Sequence, residues 1–85
     1  MNQALKEYIE SVFEKQDICF QEPMSRHTSF RTGGEADCLL QIRSVEQLQR
    51  ILSYLRKTGN EYFLLGNGTN LLVSDRGYQG VVLQI

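Results

Sequence analysis

No apolar run in the sequence is long enough to span a bilayer, and the N-terminal MNQALKEYIESVFEKQ lacks the uninterrupted apolar core of a signal peptide. These absences predict a cytoplasmic chain and argue against a membrane as partner. Cysteine is scarce. Cys19 and Cys38 stand far apart, with no second Cys or His at metal-ligand spacing, which speaks against a disulfide framework or a zinc site and for reduced thiols. An excess of charge of one sign is missing as well. The formal net charge is −1 and no basic tract is interleaved with aromatics, so neither nucleic acid nor an anionic membrane is expected as a partner. The one histidine, His27, has the chemistry of a pH switch or general base. No carboxylate or nucleophile stands at an obvious partner position, and the reading that prevails is a loop-ordering role.

What is present is an ordinary globular composition on a short chain of 85 residues. That length allows at most one small domain, near the size where a single core contributes about 3 to 5 kcal/mol, or a piece of a larger one. Leu5, Tyr8, Ile9, Val12 and Phe13 recur at helical spacing among charged residues, which predicts an amphipathic helix that needs a surface to lie on. From Asp17 to Gly34 the chain holds its only proline, Pro23, and little periodicity, so it reads as an extended connection. The run ADCLLQI, residues 36–42, predicts a strand. SVEQLQRILSYLRKTG follows, with Ser44 and Gln47 as a capping box, Val45, Leu48, Ile51, Leu52 and Leu55 as one apolar stripe, and Gly59 as the stop. With EYFLLG as the next strand, this makes a strand, helix, strand unit whose two strands, at 37–42 and 62–65, are expected to be parallel neighbours. NLLVSD and GVVLQI predict two further strands around a turn at residues 75–77. Tyr54, Tyr62 and Tyr78 are expected in the core or on the rim of the sheet.

Between two of these apolar runs lies LLGNGTNLLVSD, residues 64–75. Gly and Asn tolerate positive φ, so a plain turn is one reading. A cradle of backbone N–H groups for phosphate is the other. A P-loop would need a Lys after the second glycine, but Thr69 and Asn70 follow Gly68. A Rossmann fingerprint would need a third glycine and a helix opening from the loop, but Leu71 stands at that position and apolar residues continue as a strand. What remains beside the plain turn is a nest of backbone N–H groups. In it Gly66, Asn67, Gly68 and Asn70 turn inward, with the Thr69 hydroxyl and two carboxamides as neutral donors, and it needs no side-chain cation to hold a diphosphate.

Two segments in register carry a resemblance. SRHTSFRTGG at residues 25–34, then the strand and helix, then LLGNGTNLLVSD and YQGVVLQI, are similar to the N-terminal part of the UDP-N-acetylenolpyruvoylglucosamine reductase (MurB) family. The likeness runs from about Met24 to Ile85, and the first helix matches loosely. It implies an α/β (α+β) fold: a small parallel β-sheet with flanking helices, the first lobe of an FAD-binding domain of the vanillyl-alcohol oxidase type. Residues 24–85 would form that lobe, incomplete, and residues 1–23 an N-terminal amphipathic helix and connection.

The resemblance also implies an FAD-dependent oxidoreductase of peptidoglycan synthesis, with NADPH as co-substrate and a UDP-N-acetylglucosamine enolpyruvate as substrate. Gly66, Asn67, Gly68, Thr69, Asn70 and Leu71 match the loop that wraps the FAD pyrophosphate. Arg31 would approach the flavin or its phosphates as a fixed cation, against the plainer reading of a surface arginine. Thr28 and Ser29 would donate to the cofactor or cap local turns. Nothing in these residues matches the family's catalytic serine, arginine and glutamate segments, so the resemblance implies a fragment that is inactive alone and contributes no catalytic residue. The alternative is a non-catalytic nucleotide-binding or protein-interaction module.

Overall fold

The apolar spacing at the N-terminus becomes α1, Gln3–Val12, in a computed structural model that describes residues 2–23, 34–66 and 78–85. Asn2 starts the helix by accepting the Leu5 N–H on its side chain at 2.8 Å, satisfying one of the donors that a first helical turn leaves unpaired. Leu5 and Ile9 face inward, and Phe13, one residue past the end, is buried with them. A 3-10 turn over Lys15–Asp17 follows, then β1, Ile18–Pro23. The extended connection expected from Asp17 onward is therefore corrected in its first part. Ile18–Pro23 is a strand paired antiparallel with β2, Glu35–Gln41, Ile18 opposite Leu40 and Pro23 opposite Glu35. The alternating pattern that marks a strand is blurred here, with Phe20 and Glu22 both on an outer strand. Gln21 adds a local break at φ 51°, left-handed backbone in a non-glycine residue. A break of that kind disrupts least on an edge strand and makes it a poorer template for pairing with another chain.

From β2 the chain turns through Ile42–Ser44 into α2, Val45–Thr58. Ser44 Oγ accepts the Gln47 N–H at 3.2 Å, and Gln47 Oε1 returns one residue further back, accepting the Arg43 N–H at 2.9 Å. The expected capping box is thus present, shifted by one residue on its return arm. Gly59 ends the helix at φ 72°, with its N–H directed to Arg56 O and that of Asn60 to Leu55 O, which closes the last carbonyls in a Schellman turn. Ile51 and Leu55 are fully buried, whereas Val45 is 70% exposed. The first residue of the expected stripe therefore lies outside the core.

β3, Tyr62–Leu65, and β4, Tyr78–Gln84, complete a mixed four-stranded sheet in the order β1-β2-β4-β3. β2 and β3 are both parallel to β4, so they share a direction, but they are not neighbours: β4 lies between them. Burial explains the difference from expectation. Val81, Val82 and Leu83 are each at most 1% exposed, which requires a strand on either side and cover on both faces, the pattern of a central parallel strand. β3 is four residues long and leaves Leu64 46% exposed, tolerable only at an edge. Backbone bonds agree: the Ile42 N–H reaches Gln84 O at 2.8 Å, and the Ile85 N–H reaches Leu65 O at 3.0 Å. Between Tyr78 and Val81 β4 advances three residues while β2 advances two, a bulge that includes Gly80. The expected strand and turn over residues 70–77 lie outside the described residues.

Period-two alternation then sorts the side chains. Cys38, Leu40, Val81 and Leu83 point to the helices and close on Leu5, Ile9, Phe13, Ile51 and Leu55, while Leu39, Leu65 and Val82 lie on the other face; Ala36, beside the irregularity between Ala36 and Cys38, departs from the alternation and packs with that second group. Tyr54 and Tyr62 pack at the margin of the first cluster, as expected; Tyr8 stacks on Tyr54 with ring centroids 4.0 Å apart. The α/β architecture with flanking helices is the one expected, with an antiparallel edge strand added.

Candidate functional site

The three parallel strands end on the same side of the sheet, at Gln41, Leu65 and Gln84. This is the side on which open α/β sheets bind ligands, because loops leave the strands there and can surround a group beyond the strand ends. Gly66 directly follows β3 on that side and is exposed. The strand ends are tied together around it. Besides the two backbone bonds from Ile42 and Ile85, Gln41 Nε2 lies 3.4 Å from Gln84 O and 3.5 Å from Ile42 O. Gly66 thus follows an edge strand whose carboxyl end is bonded on its inner side to β4, which is bonded in turn to the end of β2.

Of the expected cofactor residues, Gly66 alone is described. Asn67, Gly68, Thr69, Asn70, Leu71 and Arg31 lie outside the described residues, as do His27, Thr28 and Ser29. The N-terminus of α2 sits at the same end of the sheet but is occupied by its own chemistry. Ser44 caps the Gln47 N–H and Glu46 stands in the first turn, so one of its donors and its positive end already have a partner.

The neighbouring ionisable groups give no nucleophile. Burial, then the proximity of Cys19 and Asp37, pushes the Cys38 thiol up to about 12, which keeps it protonated and inert at neutral pH. Arg43, which pairing with Asp17 holds above its ordinary value, is committed to that partner through Nε at 3.1 Å and Nη2 at 2.9 Å. Sequence reading missed this pair, because 26 positions separate the two residues and no local pattern joins them. Among the described residues no group of three His, Cys, Asp or Glu is placed to hold a metal, and no helix is long and apolar enough to cross a membrane. Two surface grooves lie elsewhere, one beside Phe13, Ile18 and Phe20 and one along Tyr8, Arg50 and Tyr54.

No family model matches the chain. Curated relatives do. The chain is 39% identical over 84 residues to the UDP-N-acetylenolpyruvoylglucosamine reductase of Clostridioides difficile, a match that covers 99% of this chain and 28% of the relative. It is 41% identical over 85 residues to that of Caldanaerobacter subterraneus subsp. tengcongensis, covering 100% and 28%, and 49% identical over 70 residues to that of Moorella thermoacetica, covering 82% and 23%. The chain therefore spans about a quarter of the length of these relatives. By sequence it matches the N-terminal part of the UDP-N-acetylenolpyruvoylglucosamine reductase family over nearly its whole length.

Proposed function

We propose that this chain supplies one wall of the FAD site in a cytoplasmic UDP-N-acetylmuramate dehydrogenase. The observation that carries the reading is the position of Gly66, the first residue of the glycine and asparagine segment, exposed at the carboxyl end of β3 in a chain whose whole length aligns with 28% of such a reductase. The residues suit the group. Gly66 and Gly68 lack a Cβ and let the backbone approach a diphosphate closely, while Asn67, Thr69 and Asn70 offer neutral donors. Leu71 closes the segment, and Arg31 adds a fixed positive charge toward the flavin or its phosphates.

When bound, FAD supplies hydride-transfer chemistry, carrying two electrons from NADPH to the enolpyruvyl double bond of UDP-N-acetylglucosamine enolpyruvate and giving UDP-N-acetylmuramate once a proton is added. The part of this chain is to bind and orient the diphosphate. On this reading the proton donor and the UDP-sugar contacts come from the remaining length of the reductase, of which this chain spans 28%, and the 85 residues by themselves are expected to be inactive.

Gly68→Val and Asn70→Ala in the full-length reductase carrying this segment test the reading. A β-branched residue crowds the ligand and disfavours positive φ. Flavin absorbance retained after gel filtration is expected to fall in both variants, with an unchanged circular dichroism spectrum. Full flavin retention in both would mean that the segment is only a turn and would favour a module that binds no flavin.

A further inference from the structure

We draw no further inference here: the strongest candidate, the apolar groove between the end of α1 and β1 lined by Phe13, Ile18 and Phe20 with Glu10 and Lys15 at its rim, is an unpartnered surface, and nothing in the structure shows what covers it.

Discussion

Arg43 Nη2 donates to Asp17 Oδ1 at 2.9 Å, a bond between a side chain that is 63% exposed and one that is 5% exposed. The pair fastens the 3-10 turn before β1 to the corner between β2 and α2, and its two ends are unequal. Removing the guanidinium leaves a buried carboxylate short of donors, whereas removing the carboxylate returns an arginine to water. Arg43→Ala is therefore expected to lower the urea midpoint more than Asp17→Asn, which keeps an acceptor in place. Equal midpoints for the two variants would show that the bond is only a surface ion pair.

Ile51→Ala should be severe. The side chain is fully buried between α2 and the sheet, and such truncations cost about 2 to 5 kcal/mol through lost transfer free energy and the cavity left behind. In a domain of this size that is most of the available stability, so the circular dichroism melt is expected to lose its cooperative transition. Val45→Ala, at an exposed position of the same helix, should change stability by no more than about 0.5 kcal/mol.

Gly59→Ala isolates a backbone effect. A Cβ at that position would meet nothing within 4 Å, yet φ is 72°, so the whole cost is the left-handed conformation, about 1 to 2 kcal/mol. Gly59→Asn should recover part of it, since asparagine tolerates this region better. Denaturation curves of the two variants side by side provide the measurement.

The thiols should differ in reactivity. With Cys38 raised from 9.0 to about 12 by burial first, iodoacetamide at pH 8 is expected to label the half-buried Cys19 and spare Cys38 in the folded chain. Both should label after unfolding, as read by peptide mass spectrometry. The same shift sets a sign for stability. Folding holds the proton more tightly than the unfolded chain does, so the contribution is whole below pH 9 and is lost as pH rises from 9 toward 12. Cys38→Ala should flatten the alkaline limb of the stability profile.

Legibility in the sequence followed the range of the forces involved. Both helices, the Ser44 cap and the Gly59 stop were readable because their signals lie within one or two turns of chain. The partner of each strand was not, since ADCLLQI and GVVLQI carry nearly the same apolar content and only burial on both faces sends Val81–Leu83 to the middle. β1 carries no clear strand signal in the sequence, because an edge strand with Gln21 at positive φ needs no clean alternation. The glycines and asparagines of residues 66–70 suggest a phosphate cradle from sequence alone, and of them the structure describes Gly66, at the carboxyl end of β3.

The place of β4 has a consequence for biosynthesis. A ribosome delivers residues in order, and the strand at the middle of this sheet is the last of the four to emerge. Until residues 78–84 have left the exit tunnel, β3 lacks β4 and, among the described strands, β2 has only β1 to pair with. A nascent chain stalled before Tyr78 therefore lacks the strand on which both parallel pairings depend, and the apolar edges of β2 and β3 are open to chaperones or to other chains. The arrival of Tyr78–Gln84 supplies both parallel pairings at once, so the sheet described above is expected to close only after that strand is made.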